Sequence, residues 1–500
     1  MSNARLLSVL LLLLCAPAVG LCFLLGFAGS FAIGVGAAVL MVLMIWTVRP
    51  SIMMPGAIRN DVLLFSFAIS FALCLLGGEG RLFFANTDWL VRDAVLHDLV
   101  SQPWPFAYRI DAAHSTAQSF VMRAPLAMYM LPAAVGKMLG LYAAHLALLA
   151  QNTVLFALIL YFIVPEQSGL WRAAAIIAIF AVFSGLDVVP VLAKHLAHES
   201  EPAVNGIPPD HLENWARLFQ YSSNITQIFW APPHAIAGWA FAGLYLLWQR
   251  GLVRAAVLLC VLPYLAYWSP FAVIGAAPFV LYAAASDVIG RRIGRADIVA
   301  GLLAAPTALL VLAYLAQGDG GVEHGFLIDA PYFWNLYFAF IEIEVAPYII
   351  LIVAMRPAII KDPTFLLVVI SLLLIPFYKL GMSNDFAMRA SIPALALLAA
   401  TFAVTLTETI ATGDRLLWSR LATLTLIIGS VTGAMEVRRA LIRSPSPISN
   451  CDMVQAWAQH PFSWTPMTSY LANLDAMPGW LRPQSPAEVP PGAITHCFAQ

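Results

Sequence analysis

A carboxylate followed by an amphipathic stretch is the first feature that could do chemistry, and it lies in the polar segment 78–123. On a helix from Asp88 to Val100 the apolar residues would share one side, while Asp88 and Arg92 would belong to the polar side. Such a helix is typical of one lying on a membrane surface. Asp88 at its N-terminal end could be a general base for a hydroxyl or could orient a cationic group. Arg92 is then a candidate for substrate binding. The alternative is that Asp88 is a helix N-cap, for which Asp is a favoured residue.

A second polar segment, 190–233, mixes aromatic rings with hydrogen-bonding side chains. Aromatic faces stack on sugars, and amides and carboxylates bind sugar hydroxyls, so this composition indicates a sugar-binding site. The same composition is typical of an ordinary membrane-interface belt, where Trp and Tyr collect. Both interpretations stay open. The substrate-binding candidates are Glu213, Gln220, Tyr221, Asn224, Trp230 and, where the next apolar run begins, His234.

A third candidate pair is Asp385 and Arg389, which lie between two apolar runs. Four residues apart on a helix, they can form a structural ion pair. Alternatively, Arg389 binds an anionic group such as a lipid phosphate. Glu342 and Glu344 lie inside an apolar run, where an ionisable group is costly and usually marks function, although both are near enough to its end to border the interface.

Six cysteines are present, and four of them, Cys15, Cys22, Cys74 and Cys260, lie in apolar runs. Cys451 and Cys497 lie in a polar tail, where they form a disulfide if the tail faces an oxidising compartment. Two free thiols are the alternative. No spacing of His and Cys predicts a zinc site. We expect no required cofactor. A divalent cation held by Asp88 and other acidic residues is an alternative that no pattern in the sequence supports.

The composition places all of these residues in a membrane protein. The chain has 500 residues, of which 61% are hydrophobic and 11% charged, with a mean hydropathy of +0.82. A soluble domain carries about 25% charged residues, so much of this surface must face hydrocarbon. The net charge of −1 and the lack of a basic stripe exclude nucleic acid as a partner.

Long apolar runs predict the elements that position the candidates. About 20 apolar residues cross a bilayer as a helix, so the predicted fold is an all-α integral membrane protein with about 13–14 transmembrane helices and amphipathic extracytoplasmic loop helices. The membrane domain is 1–435, and 436–500 is an extracytoplasmic tail. The predicted spans are 6–27, 31–48, 62–77, 124–140, 142–164, 172–189, 234–249, 252–268, 270–286, 298–316, 333–355, 363–380, 390–411 and 417–435.

The orientation follows from the rule that Lys and Arg concentrate in cytoplasmic loops. The basic cluster 291–295 is predicted to be cytoplasmic, which puts loop 190–233 and the tail on the extracytoplasmic face. In the N-terminal half, Arg5, Arg49 and Arg59 are predicted to be cytoplasmic, which puts loop 78–123 on the extracytoplasmic face as well. Counting membrane crossings from the N-terminus and from the cluster 291–295 gives contradictory sides for loop 190–233. Two full spans between 124 and 164 would put this loop in the cytoplasm, whereas the count from the cluster puts it outside. The predicted span 124–140, with two prolines and a lysine, is the suspected exception.

This layout resembles the GT-C-type membrane glycosyltransferases. The matching features are Asn86-Thr87-Asp88-Trp89, the amphipathic stretch after it, and the entry Arg123–Tyr129 into the next helix. The resemblance implies a helical bundle that uses a sugar linked to a lipid phosphate, with Asp88 as the base that activates the acceptor. Arg389 or Arg123 would then bind the donor phosphate. One departure is that three apolar segments precede Asp88, where the family usually has one.

The favoured prediction is transfer of a sugar from a polyprenyl-phosphate donor to a lipid, glycan or protein acceptor at the extracytoplasmic face. The alternative is a transporter or flippase for a lipid-linked or amphipathic solute, with Glu342, Glu344 and Asp385 along its path. A non-catalytic scaffold in envelope assembly is a third option. In each case membrane lipids are partners, and the resemblance implies a bacterial inner membrane.

Overall fold

The computed structural model describes residues 2–110, 118–197, 211–318, 323–381, 384–460, 467, 470–489 and 496–497. These residues form a mostly helical bundle with a few short strands. The helices are α1 Asn3–Cys15, α2 Pro17–Leu25, α3 Ser30–Thr47, α4 Asn60–Leu76, α5 Asp88–Ser101, α6 Ala127–Leu139, α7 Leu141–Ile163, α8 Leu170–Ala181, α9 Val188–Leu196, α10 Asn224–Trp230, α11 Pro232–Gln249, α12 Ala255–Trp268, α13 Pro270–Ile289, α14 Arg295–Leu315, α15 Phe333–Glu344, α16 Ala346–Met355, α17 Pro363–Leu374, α18 Asp385–Ala390, α19 Ile392–Thr412, α20 Leu416–Ile442 and α21 Met453–Ala458. The strands are β1 Phe106–Ile110, β2 Gln118–Met122, β3 His324–Phe326, β4 Tyr378–Leu380, β5 Leu471–Asn473 and β6 Ala487–Val489.

The predicted helical membrane class is confirmed. Seven helices in the described part of the chain are long and apolar enough to cross a membrane, and the bent pair α15 and α16 would make eight. The pair is bent by 42° at Val345. Each of the fourteen predicted spans falls on a helix, but five of these are shorter apolar helices of 10–17 residues. The prediction that the fold is purely helical missed the strands.

One end of the bundle collects short loops with basic residues, among them the cluster 291–295, and we call it the base. The chain start bridges to Ala57, and Ile52 bridges to Val253. Arg254 pairs with Asp297 at 3.3 Å, which brings the cluster 291–295 to the same end. Further base contacts join Arg59 to the Ser168 carbonyl, Arg250 to Glu166, Gln249 to Asp362 and Arg415 to the Ala354 carbonyl.

The opposite end carries a lid of non-spanning structure, which we call the cap; it comprises the described residues of 77–126 and 443–489. Its centre is a four-stranded sheet in the order β5-β2-β1-β6. Strands β1 and β2 form an antiparallel hairpin, β5 adds antiparallel to β2, and β6 adds parallel to β1. The tail therefore supplies both edge strands of a sheet whose two middle strands come from the first loop. This pairing gives hydrogen-bond partners to the backbone groups at the two edges of the hairpin.

Helix α5 forms where an amphipathic helix was predicted, but it is not on a surface. Both its apolar side and its polar residues Arg92, Asp93 and Asp98 are buried, between α6 on one side and α21 of the tail on the other. Asp98 accepts hydrogen bonds from the Tyr108 hydroxyl at 2.6 Å and from the Met453 backbone N–H at 2.8 Å. These bonds satisfy a buried carboxylate and bind the tail to α5.

Helix α6 explains why the two counts of membrane crossings disagreed about the side of loop 190–233. Its N-terminal side is held at the cap, where the Arg123 backbone N–H donates to the Tyr470 carbonyl at 2.6 Å. Near its other end, Lys137 donates to the carbonyl of Gln102, also in the cap, at 2.6 Å. With 13 residues, α6 is about 20 Å long at 1.5 Å per residue. Both ends of this helix therefore lie on the cap side, and α7 alone continues to the base.

Candidate functional site

Hydrogen bonds hold the segment Asn86–Trp89 in place and so fix the position of Asp88. The Asn86 amide and the Trp89 indole both donate to the carbonyl of Phe229, at 2.7 Å and 3.0 Å, and the Asp88 backbone N–H donates to the Asn86 side chain at 3.1 Å. Thr87 is at the N-cap position of α5, and Asp88 is its first helical residue. The N-cap alternative for Asp88 is therefore wrong.

The carboxylate of Asp88 pairs with Arg92 one helical turn later, at 3.1 Å. The Asp88 side chain keeps 33% of its surface exposed, whereas Arg92 is nine-tenths buried beside the ring of Trp89. Burial acts to lower the pKa of Arg92, but Asp88 and the hydroxyls of Tyr129 and Tyr470 outweigh it and raise that pKa. Arg92 Nη1 is buried with no hydrogen-bond partner among the described residues. A fixed, charged guanidinium thus lies behind an accessible carboxylate.

A second acid–base pair lies on the short helix α18. Arg389 contacts Asp385 at 3.0 Å, and each side chain keeps about a quarter of its surface exposed. Asn384 positions this helix from a left-handed backbone conformation, with φ 55°. Its amide donates to the Leu218 carbonyl at 2.7 Å, and its side-chain oxygen accepts from the Ala387 N–H at 3.4 Å. The structural pair predicted for these two residues is present, and its guanidinium still faces open space.

Tyr470, in the tail, lies where the two pairs meet. Its hydroxyl interacts electrostatically with Arg92 and Arg389 and with both of their carboxylate partners. Burial raises the pKa of Tyr470, and the two carboxylates add to the effect while the two guanidinium groups oppose it. The hydroxyl therefore stays protonated and can donate a hydrogen bond.

Two histidines border the same place. His234, at the start of α11, hydrogen-bonds Ser269 at 2.7 Å and lies within electrostatic range of Arg92 and Arg389. His460, in the tail, is buried within range of Asp88 and Arg92. Burial lowers the pKa of His460, Arg92 lowers it further, and Asp88 opposes both. The imidazole is therefore neutral at pH 7.

The structure brings five of the predicted site residues into one cluster, which we call the cap site. Arg123 is adjacent, since its backbone N–H holds the Tyr470 carbonyl, and its guanidinium Nε donates to the Gln317 carbonyl at the end of α14. The members of the cap site are Asp88, Arg92, His234, Asp385, Arg389, His460 and Tyr470.

The remaining candidates from the second loop turn inward and hold that loop together. Glu213 accepts from Gln220 and from the Ser223 backbone N–H, both at 2.8 Å. The Tyr221 hydroxyl donates to the Leu372 carbonyl at 2.6 Å, and the Asn224 amide donates to the Phe180 carbonyl at 2.6 Å. Their hydrogen bonds go to the protein itself, so their structural part is to fix the start of α10, whose other end carries Phe229.

Trp230 belongs to a separate buried network at the cap end of α20. Its indole donates to Glu436 at 2.7 Å, and its ring lies 4.8 Å from that of His211. His211 and Arg439 contact the same carboxylate, at 2.8 Å and 2.7 Å. This network fixes α10 to α20. Because the Phe229 carbonyl of α10 accepts hydrogen bonds from Asn86 and Trp89, the network also helps to hold the segment that carries Asp88.

Two tail residues of the cap site, Tyr470 and His460, were missed by the sequence analysis. Neither lies in a motif or at a regular spacing from Asp88, and only the folded cap brings them together. Cys451 and Cys497 are joined by a disulfide in the structure, with sulfur atoms 2.11 Å apart. The bond packs on Leu90 and Ala94 of α5, so it anchors the part of the tail that includes α21 beside the cap site.

Among the described residues, no group of three or more His, Cys, Asp or Glu comes together in a way that could hold a metal ion. No known family model matches the chain, and neither curated proteins nor solved structures give a match. The chemistry of the cap site must therefore be read from its geometry. It offers an exposed carboxylate, two guanidinium groups able to bind an anion, a neutral imidazole and a phenol.

Proposed function

We propose that the protein is a membrane glycosyltransferase that moves a sugar from a polyprenyl-phosphate donor to the hydroxyl of a lipid, glycan or protein acceptor. The observation that carries this proposal is the pairing of an accessible Asp88 carboxylate with Arg92, together with an Asp385–Arg389 pair within electrostatic range of the same Tyr470. An anionic leaving group and a hydroxyl nucleophile are the two groups that such a site accommodates together.

In the proposed reaction the acceptor hydroxyl oxygen attacks the anomeric carbon of the donor sugar. Asp88 takes the hydroxyl proton, and the bond between the anomeric carbon and the phosphate oxygen breaks. The polyprenyl phosphate leaves with that electron pair, and its added negative charge is stabilised by Arg389. Most of the rate gain would come from positioning and from fixed charges. Tyr470 would donate a hydrogen bond to the same phosphate.

We infer a topology that fits this reaction. With α1–α2 and α15–α16 counted once each, thirteen segments run between base and cap, and α6 is the predicted span that does not. An odd number puts the chain start and the tail on opposite sides. Because the basic loops at the base favour the cytoplasm, the cap site would face the extracytoplasmic side, where lipid-linked donors are presented. The bundle would reside in a bacterial inner membrane.

The proposal is tested with the full chain in lipid nanodiscs and a panel of short-chain polyprenyl-phosphate sugars, by measuring release of polyprenyl phosphate. Because a positioned general base contributes about 100-fold or more, we expect Asp88→Asn to reduce release by at least that factor while donor binding is retained. Asp475→Asn, an exposed tail carboxylate, is the matched control and should change nothing. Full activity of Asp88→Asn would end the assignment of Asp88.

The donor-phosphate role is tested separately in Arg389→Ala. We expect weaker donor binding, seen as a higher KM, with a smaller change in kcat. Arg109→Ala is the control, because Arg109 on β1 forms an exposed pair with Glu488 on β6 and does not belong to the cap site. If the KM for every donor of the panel is unchanged in Arg389→Ala, the phosphate is not bound at α18.

A transporter remains the second candidate because of a buried acidic pair at a bent helix. The Trp215 indole donates to both Asp187 and Glu344, each at 3.1 Å, and Glu344 is the residue before the 42° bend between α15 and α16. Buried acids at a broken span are typical of ion or proton pathways. Proton-coupled movement of a lipid-linked sugar that is lost in Glu344→Gln but kept in Asp88→Asn would favour this candidate over the transferase.

A further inference from the structure

An apolar cavity of about 560 Å³ lies between α3 and α14, and none of its lining residues belongs to the cap site. It is lined by the α2–α3 turn, by α3 from Ile33 to Leu40, and by α14 from Pro306 to Leu310. Trp480 of the tail is the lining residue contributed by the cap. These parts of α3 and α14 are their cap-side halves, so the cavity lies in the leaflet nearest the cap.

The cavity has a buried floor and an exposed rim. Ala37 and Leu310 are buried, whereas Ile33 and Leu309 have about half or more of their surface exposed. Along α3 the lining runs from Ile33 to Leu40, which are seven steps apart, about 10 Å at 1.5 Å per residue. This length fits within one leaflet of a hydrocarbon core about 30 Å thick. The opening therefore faces the side of the bundle rather than the aqueous cap.

The rim next to the cap has the chemistry of a lipid headgroup boundary. Trp480 is 60% exposed, and an indole at this level is typical of the membrane interface. Two residues later, Arg482 donates to the carbonyls of Asp475 and Met477 and has no carboxylate partner among the described residues. Arg482 is thus a positive charge two residues from Trp480 in the wall of the cavity, and it can complement a lipid phosphate at the rim.

We propose that this cavity binds one acyl chain of an anionic glycerophospholipid from the cap-side leaflet, with the phosphate near Arg482. The proposal does not depend on the transferase assignment, because none of the lining residues belongs to the cap site.

The test uses the full chain in nanodiscs of phosphatidylethanolamine and phosphatidylglycerol, with a trace of phosphatidylglycerol that carries a photoreactive diazirine on its acyl chain. After irradiation, adducts are mapped by mass spectrometry. We expect them to concentrate on the peptides with residues 33–40 and 306–310. Adducts spread evenly over the other lipid-facing helices, such as α20, would overturn the proposal, since they would indicate bulk lipid alone.

Two glycines give a matched pair of variants. A Cβ at Gly36 or at Gly301 would have no neighbour within 4 Å, and Gly36 lines the cavity while Gly301 is an exposed residue of α14 outside it. We expect Gly36→Phe to fill the cavity and abolish the concentrated labelling, and Gly301→Phe to leave it unchanged. Equal labelling in both variants would overturn the proposal.

The headgroup is tested with Arg482→Gln. One Arg near a membrane surface favours an anionic lipid by about fivefold, so labelling by the phosphatidylglycerol probe should fall by that factor, while a phosphatidylethanolamine probe should be less affected. Suppression of labelling by added polyprenyl phosphate, but not by unlabelled phosphatidylglycerol, would assign the cavity to a polyprenyl chain and reject the acyl-chain proposal. Transfer or hydrolysis of donor in Gly36→Phe reports independently on the cap site.

Discussion

Removal of the Asp98 carboxylate should release the tail from α5 without unfolding the bundle. In Asp98→Ala the Tyr108 hydroxyl and the Met453 backbone N–H each lose a partner that now lies at 2.6 Å and 2.8 Å. A buried polar group left without a partner costs about 1–3 kcal/mol. Burial of the carboxylate itself is unfavourable, as its raised pKa shows, and its removal recovers part of this. We therefore expect a net loss of about 3 kcal/mol in the local stability of the cap.

Hydrogen exchange followed by mass spectrometry measures this loss directly. A change of about 3 kcal/mol in local opening corresponds to about 150-fold faster exchange, and it should appear in α21 and in β1. The amides of α7 should be unchanged, because they belong to the bundle. Asp98→Asn, which keeps one carbonyl oxygen, should give an intermediate value. Asp475→Ala, an exposed carboxylate of the tail, is the control.

The reasoning is refuted if exchange in α21 rises by less than about tenfold in Asp98→Ala. Such a result would mean that strand pairing and the disulfide hold the tail without the carboxylate. Equal acceleration in α7 would also contradict it, because the whole bundle would then open together. Either outcome would separate the stability of the tail from the hydrogen bonds that now join it to α5.

Three further predictions concern buried groups outside the cap site. Burial raises the pKa of Glu79 to about 8, although Asn152 and the nearby guanidinium groups act to lower it. The contribution of Glu79 to the free energy of unfolding is therefore fully present below about pH 4.5 and is lost as the pH rises through 8. Thermal unfolding of Glu79→Gln should lack this loss. Replacement of Cys451 and Cys497 by Ser should destabilise the tail by about 4 kcal/mol in the chain-entropy model, measured by limited proteolysis, with one linked peptide in the non-reduced parent. A Cβ at Gly185 would overlap the buried carboxylate of Glu344, so Gly185→Ala should lower the free energy of unfolding by about 1–3 kcal/mol.

The helices could be predicted because each apolar run is long enough to identify its element without knowledge of its neighbours. The same holds for α5, whose amphipathic pattern set its start at Asp88. The strands could not be predicted, since β5 and β6 have three residues each and pair with segments more than 300 residues earlier. A pairing so distant leaves no local pattern.

The members of the candidate site were predictable only where a charged residue lies in a polar segment between two apolar runs. Asp88, Arg92 and Arg389 were found because charged residues are rare in this chain and lie between apolar runs. For Glu213 and Tyr221 composition alone could not tell a ligand-binding side chain from one that satisfies buried backbone groups, and the structure shows internal hydrogen bonds for both. Tyr470 has no such signal, because its role depends on how the tail folds back.

The sheet of the cap has a consequence for biosynthesis. Strands β1 and β2 and Asp88 are made early, but β5, β6 and Tyr470 are made only after every spanning segment has been inserted. Until then the hairpin has unpaired edges and the carboxylate lacks its phenol neighbour. The cap site is therefore complete only after the tail has been made, and a nascent chain that still lacks the tail carries no finished cluster. Late closure of this kind makes the cap site depend on the whole polypeptide, so that a product stopped before the tail would lack the cluster's tail residues and would expose the edges of its hairpin.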